Sequence, residues 1–192
     1  ETFIFHFFGD SKKRFIDADL HLANSKIFFD MFKKVGINEK KIVITGNPYW
    51  DKIFNDTKNL NYSKKSIVHK PIRVVILTNA LVEHGEWSIK QKENFLRNLL
   101  NNLCNKNELE ISLKIHPTSE NISDYEELCK KFGIDVKIYQ KESFWSIAEN
   151  FDVMVTYGYT TLHSECALIG YRVVLFETNN KFRIMPFVNS AI

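Results

Sequence analysis

The sequence is poor in the residues that build disulfide scaffolds, zinc modules and membrane spans. It has only three cysteines in 192 residues, Cys104, Cys129 and Cys166, and they lie far apart in predicted helices. We interpret them as free thiols in a reducing compartment. No Cys/His cluster has the spacing of zinc ligands. No apolar run approaches the roughly 20 residues that cross a bilayer.

Several sequence signatures of common enzyme classes are also missing. There is no Gly-x-Gly-x-x-Gly, no Walker loop, no nucleophile elbow and no His-Glu-x-x-His. Hydride transfer, P-loop ATP hydrolysis and metalloprotease chemistry are therefore not supported. The net charge is only +3, with Lys and Arg spread along the chain, which argues against a dedicated nucleic-acid surface.

The two ends of the sequence look cut from a longer protein. There is no initiator Met and no signal-peptide pattern, and the chain stops in the apolar stretch 187–192. We therefore expect part of any active site to lie outside this chain.

What the sequence does contain is an alternation of short apolar strands and amphipathic helices. Apolar runs at 2–8, 18–23 and 41–45 and a helix at 26–34 form a first unit, followed by a polar Asn/Lys/Ser-rich stretch. From Pro71 on, strands are predicted at 72–78, 109–116, 135–139, 152–156 and 172–176, with helices at 86–102, 124–132, 144–149 and 160–169. This alternation predicts an α/β fold with a Rossmann-type doubly wound parallel sheet. The predicted domains are the end of a first Rossmann-like domain at 1–50, a linker at 51–70 and a second Rossmann-like domain at 71–192.

The stretch from 151 to 177 is the most informative part of the chain. A β-branched strand leads through Tyr157-Gly158-Tyr159 into Thr160 and Thr161, which can cap the following helix. The free N–H groups and the positive dipole at such a helix start favour an anion. Capping and anion binding are compatible interpretations of the two threonines, because the same N–H groups serve both.

Polar residues also follow the other predicted strands, where ligands bind in open parallel sheets. The first strand of the second domain runs into Thr78 and Asn79, with Glu83 and His84 nearby. The second ends in Lys114, His116 and Pro117. Because proline keeps the preceding residue extended, His116 can present its imidazole to a phosphate oxygen. The alternative is a histidine that merely ends a strand.

Glu165 lies about one helical turn beyond Thr161. A carboxylate there can accept both hydroxyls of a ribose, or it can be a solvated helix residue. His163 and Ser164 are interpreted as structural. The basic cluster Lys12-Lys13-Arg14 is interpreted as a solvated edge.

Three segments together resemble GT-B-type transferases. Thr45-Gly46-Asn47-Pro48 through Asp51 is similar to the G-N-P-x-x-D segment that closes the first domain in many such enzymes. His116-Pro117 resembles the His-Pro motif of capsule sialyl- and Kdo-transferases and of CDP-glycerol glycerophosphotransferases. Tyr159-Thr160-Thr161 with Glu165 resembles a motif of the same group and of UDP-GlcNAc 2-epimerases. Gly158 departs from the Asp that the glycerophosphotransferases have there.

The resemblance implies a donor-binding second domain and an enzyme acting on a nucleotide-activated sugar. The resemblance implies that His116, Thr160 and Thr161 bind the phosphates of the nucleotide and that Glu165 binds its ribose. The position of other residues at the strand ends adds further predicted nucleotide contacts, namely Thr78, Asn79, Lys114, Pro117, Gly158 and Tyr159. His116 would also stabilise the leaving phosphate, as a catalytic residue, and Glu83 and His84 are local candidates for a general base. The expected reaction transfers a sugar or polyol phosphate from a pyrimidine-nucleotide donor to a surface polysaccharide or glycolipid, without metal or other cofactor.

The resemblance also implies a cytoplasmic protein, with peripheral association at the inner face of the membrane. Two alternatives stay open: a UDP-GlcNAc 2-epimerase-like isomerase, and a catalytically silent nucleotide-binding module.

Overall fold

The computed structural model describes residues 18–57, 67, 70–157 and 160–176. The chain divides into two compact units, one formed by Glu1–Thr57 with Asn179–Ile192 and the other by Lys58–Thr178. The predicted strand at 2–8, the Lys12–Arg14 cluster, Gly158 and Tyr159 lie outside the described residues.

The first unit contains a small parallel β-α-β arrangement. Its elements are β1 (His21–Ala23), α1 (Lys26–Lys34), β2 (Ile42–Ile44) and α2 (Pro48–Thr57). Ser25 caps α1 by accepting a hydrogen bond from the Phe28 N–H, as the Asn24-Ser25 pair predicts. Helix α2 covers 51–57 of the predicted linker, where the polar composition indicated no regular structure. Proline at its first position is compatible with a helix start.

The second unit contains a five-stranded parallel sheet, which confirms the predicted fold class. Its strands are β3 (Ile72–Leu77), β4 (Leu109–Lys114), β5 (Lys137–Tyr139), β6 (Val153–Tyr157) and β7 (Val173–Phe176). Its helices are α3 (Ile89–Cys104), α4 (Ile122–Phe132), α5 (Phe144–Ile147) and α6 (Thr161–Ile169). Helix α3 begins three residues later than predicted because Ser88 and Gln91 form a capping box. None of the described helices combines the length and apolarity that crossing a membrane requires.

Both faces of the sheet are covered by helices, as the continuous apolar strands require. In β3, Val74 and Ile76 face a core built with leucines of α3 and residues of α4. Val75 and Leu77 face the opposite core, which includes residues of α5 and α6. Side chains that alternate along β3 therefore pack into two cores, one on each face of the sheet, instead of one core and solvent.

Tyr157 belongs to a strand whose predicted end is residue 156. It is the last residue of β6, has no exposed surface and stacks on Trp87 with ring centroids 5.8 Å apart. Phe95 of α3 packs against it as well, with centroids 4.7 Å apart. The large apolar area of its ring explains why the strand continues through this residue.

The strand order is β5-β4-β3-β6-β7, all parallel. The chain winds outward from β3 to β5 and then returns to the other side of β3. The order therefore reverses between β3 and β6, and the carboxyl ends of these strands flank the crevice where open α/β sheets bind ligands.

The amino edge of the same strand pair is joined by Arg73 and Asp152. The Asp152 carboxylate accepts hydrogen bonds from the Arg73 backbone N–H at 2.9 Å, from Nε at 3.2 Å and from Nη2 at 3.0 Å. The Asp152 N–H donates in return to the Arg73 carbonyl at 2.8 Å. Hydrogen bonds to a charged, partly buried group of this kind contribute more than an exposed ion pair.

We predict that Asp152→Ala lowers the free energy of unfolding by about 1–3 kcal/mol, because it leaves several donors without an acceptor. Urea unfolding followed by circular dichroism measures the loss. The control is Glu93→Ala, which removes a carboxylate that pairs with Lys131 on the surface at 3.0 Å and should cost at most about 1 kcal/mol. Equal losses of unfolding free energy in the two variants would show that the partly buried Arg73–Asp152 pair contributes no more than an exposed ion pair.

Candidate functional site

The candidate site lies at the carboxyl edge of the sheet, in the loops that follow β3 and β4. The Thr78 N–H donates to the Lys114 carbonyl at 3.0 Å, which ties these two loops together. The turn His116–Glu120, here termed the His116 turn, comes directly after β4. It brings His116 and Thr78, which follow two different strands, to one carboxylate.

That carboxylate is Glu120, whose side chain is fully buried. Its Oε2 accepts hydrogen bonds from the Thr78 hydroxyl and from the His116 backbone N–H, the latter at 2.8 Å. Its Oε1 accepts from the Lys92 ammonium at 3.1 Å and from the Tyr125 hydroxyl. One oxygen thus faces the loops at the sheet edge, and the other faces the core helices α3 and α4.

The charge on Glu120 is stabilised in this buried position. Burial alone would raise its pKa, but the hydrogen bonds from Thr78, Tyr125 and the His116 N–H, together with the charge of Lys92, outweigh burial and lower the pKa. Burial, with the nearby Tyr157 and Glu120, raises the pKa of Tyr125 well above its usual value, so this hydroxyl stays protonated and donates.

The His116 ring is held by the same turn. Its Nδ1 accepts hydrogen bonds from the backbone N–H groups of Ser119 at 3.1 Å and Thr118 at 3.4 Å. A neutral imidazole that accepts at Nδ1 carries its proton on Nε2. No described residue accepts a hydrogen bond from Nε2, and the side chain is partly exposed. His116 therefore presents an N–H donor at the edge of the sheet.

The Lys114 side chain differs from that of His116 because its polar group already donates hydrogen bonds within the fold. Its buried ammonium donates to the carbonyls of Ile115 at 2.9 Å and Gln140 at 2.8 Å, and so joins the loops after β4 and β5. Burial lowers its pKa, although Glu142 and Glu120 act in the opposite direction. Two of its three N–H donors thus serve the loops, and a nucleotide contact from Lys114 stays a prediction.

Glu83 and His84 lie in the loop between β3 and α3. The Glu83 carboxylate is 3.8 Å from the Lys92 ammonium, whereas His84 is exposed. Asn79 is in the same loop, where its carbonyl accepts a hydrogen bond from the Leu81 N–H at 2.7 Å. Within the described part of the chain, neither Glu83 nor His84 has a partner that would activate it as a base.

Helix α6 begins at Thr161, and the Thr160 carbonyl accepts a hydrogen bond from the His163 N–H at 3.1 Å. Thr160 is partly exposed and Thr161 is exposed. Glu165 is only 4% exposed and accepts a hydrogen bond from the Trp145 indole at 3.0 Å. Burial raises its pKa, and the indole bond partly offsets this. Glu165 is therefore not a solvated helix residue, while its contact with a ribose stays a prediction.

The described ranges contain no group of three or more His, Cys, Asp or Glu side chains that could hold a metal ion. A groove of about 380 Å³ lies between α4 and β5, with Ile122, Cys129 and Ile138 among its lining residues. None of the predicted site residues lines this groove, so the site is assigned from the strand ends.

Three residues of the site, Glu120, Lys92 and Tyr125, were not predicted from the sequence. Glu120 comes just before a helix, where an acidic residue is common and usually solvated. The available signal was Lys92, which is in helical register with the buried Leu96 and Leu99. A lysine on the apolar face of a helix either extends its ammonium to solvent or pairs with a buried anion, and the sequence does not show which carboxylate would supply that anion.

No protein-family model and no curated protein sequence matches the chain. Among solved structures, that of Staphylococcus aureus MnaA with UDP is similar over 84% of this chain, with a TM-score of 0.57 and 19% identity. Anabaena Alr3699/HepE in complex with UDP-glucose is matched over the same share, with a TM-score of 0.46 and 15% identity. This chain spans 43% and 45% of those two chains. The likeness to MnaA supports the fold assignment.

We predict that Glu120 makes stability fall at acid pH. Because its folded-state pKa is lowered, it stabilises the fold above its unfolded pKa of about 4.3, and this contribution is lost as pH falls through the folded value. Glu120→Gln leaves Lys92 without its buried partner and should cost about 3–5 kcal/mol at pH 7.

Urea midpoints measured from pH 7 to pH 3 test this prediction. The difference between wild type and Glu120→Gln should shrink below about pH 4. Glu126→Gln, which neutralises an exposed carboxylate on α4, controls for the loss of one charge. A difference that stays constant down to pH 3 would show that Glu120 does not titrate as described.

Proposed function

We propose that the second unit binds a pyrimidine nucleoside diphosphate, as the donor-binding domain of a GT-B-type transferase. The observation that carries the proposal is the His116 Nε2–H group, which has no acceptor among the described residues. His116 follows β4, the strand next to β3, and the strand order reverses between β3 and β6, which is the usual ligand position in this class of sheet. A phosphate oxygen is a suitable acceptor for this donor.

A second anion-binding element supports the same ligand. Helix α6 follows β6, the strand on the other side of the reversal, and begins at Thr161. Its first N–H groups and the positive end of its dipole favour a phosphate group. His116 follows β4 and α6 follows β6, the two strands that flank β3, so their donors are separated by about two strand spacings, roughly 10 Å. Donors spread over this distance suit a diphosphate better than a monophosphate. UDP is also the ligand in the MnaA structure.

The proposed reaction transfers a sugar or polyol phosphate from the nucleotide to a surface polysaccharide or glycolipid acceptor. His116 and the N–H groups of α6 would stabilise the charge that develops on the departing diphosphate, which is the electrostatic role expected of preorganised donors. Thr160 and Thr161 would add hydroxyl contacts, and Glu165 would contact the ribose. The general base would lie outside this unit, and Glu83 and His84 stay the alternative, local candidates for it.

A UDP-GlcNAc 2-epimerase-like isomerase is the second candidate, because it would use the same nucleotide contacts. The two functions differ in their requirement for an acceptor. An isomerase turns over UDP-GlcNAc alone, whereas a transferase needs an acceptor. A nucleotide-binding module without turnover is the third candidate.

We predict that UDP or CDP binds more tightly than UMP or CMP, and that His116→Ala and Thr160→Ala each weaken binding about tenfold or more. A lost charge-assisted hydrogen bond of about 1.5 kcal/mol corresponds to this factor. Isothermal titration calorimetry on this chain measures it. His116→Gln, which keeps an N–H donor near the position of Nε2, should retain part of the affinity.

The control is Lys106→Ala, in the turn before β4 at the opposite edge of the sheet, which should change the affinity less than twofold. A preference for CMP or CDP over UDP would favour the transferase over the epimerase. If the folded chain binds none of the four nucleotides, or if His116→Ala binds as tightly as wild type, the proposed donor site is wrong.

A further inference from the structure

The His116 turn is closed by its own hydrogen bonds. Pro117 has no N–H, and the other three N–H groups of the segment 116–119 all have acceptors within the turn. The His116 N–H donates to Glu120, and those of Thr118 and Ser119 donate to the His116 ring. The orientation of the imidazole therefore depends on the position of the His116 backbone, and that position depends on Glu120.

Glu120 is itself held from both sides. Lys92 and Tyr125, from helices α3 and α4, bind Oε1, while the Gln140 side chain donates to the Glu120 backbone carbonyl at 2.6 Å. Lys92 is 8% exposed and Glu120 2% exposed, so water competes little for these bonds. The carboxylate is a fixed point to which the loops after β3 and β4 are attached.

We infer that Glu120 is a positioning residue that aims the His116 Nε2–H group at the ligand. It touches no ligand itself: its Oε2 holds the His116 N–H and the Thr78 hydroxyl, and its Oε1 is anchored in the core. The ligand in this inference is the nucleoside diphosphate of the proposed function.

The competing explanation is that Glu120 serves only as the buried counterion of Lys92. The double variant Lys92→Met/Glu120→Gln separates the two explanations. It removes both charges together, which buried ion pairs often tolerate, but it leaves the His116 N–H with a weaker, uncharged acceptor. Tyr125→Phe is the matched control, because it removes a donor from Oε1 and leaves the Oε2 contacts in place.

The first measurement is long-range ¹H–¹⁵N NMR of the histidine rings, without any ligand. Wild type should show His116 with an unprotonated Nδ1 and a protonated Nε2, and Tyr125→Phe should keep this signature. In the double variant we expect the tautomer preference of His116 to be lost. If the folded double variant keeps the wild-type signature, Glu120 is only a counterion and the inference is overturned.

The second measurement is the affinity for UDP by calorimetry. We expect the dissociation constant to rise at least fivefold in the double variant and to change less than twofold in Tyr125→Phe. If wild type binds no UDP, the proposed function fails, and the ring signature alone decides the role of Glu120.

Glu120→Asp provides a second test, in case the double variant does not fold. It keeps the negative charge near Lys92 but shortens the side chain by one methylene, which withdraws the carboxylate from the His116 N–H. Loss of the His116 signature in this charged variant supports positioning, and a retained signature contradicts it.

Discussion

The buried ion pair between Lys92 and Glu120 is the interaction on which the candidate site depends. Two charges out of water are unfavourable unless their remaining donors and acceptors are also paired. Here, four hydrogen bonds from Lys92, Tyr125, Thr78 and the His116 backbone converge on one carboxylate. The core thereby helps to fix the conformation of the loops after β3 and β4.

The architecture of the second unit could be predicted because its sequence signals are local and agree with one another. Strand-forming runs of five to eight residues separated by amphipathic helices leave few alternatives to a parallel sheet. The ends of helices and strands were harder to predict where the contacts of a single side chain determine them. Ser88 and Gln91 delay the start of α3, and Tyr157 extends β6 because its ring packs against Trp87 and Phe95.

The candidate site was predictable only in part. His116 and Thr78 were identifiable because the carboxyl ends of parallel strands, and the loops that begin there, lie at one edge of the sheet. Glu120 was not, since its partners come from 28 residues earlier, 42 residues earlier and five residues later in the chain. Long-range polar contacts have no period in the sequence, so no pattern predicts them. The nucleotide contact from Lys114 stays a prediction, and its ammonium donates hydrogen bonds to the carbonyls of Ile115 and Gln140.

The two-sided burial of β3 has a consequence for how the strands find their alignment. In a strand that has one solvent-exposed face, a register shift of one residue would expose apolar side chains, and this free-energy cost favours the native register. In β3 such a slip exchanges one apolar face for another, so burial discriminates less between alignments. The alignment of β3 is then determined by polar groups at its two ends, where Arg73 binds Asp152 and Thr78 binds Glu120. These polar contacts, which also shape the two edges of the sheet, therefore favour one register of β3 with the neighbouring strands.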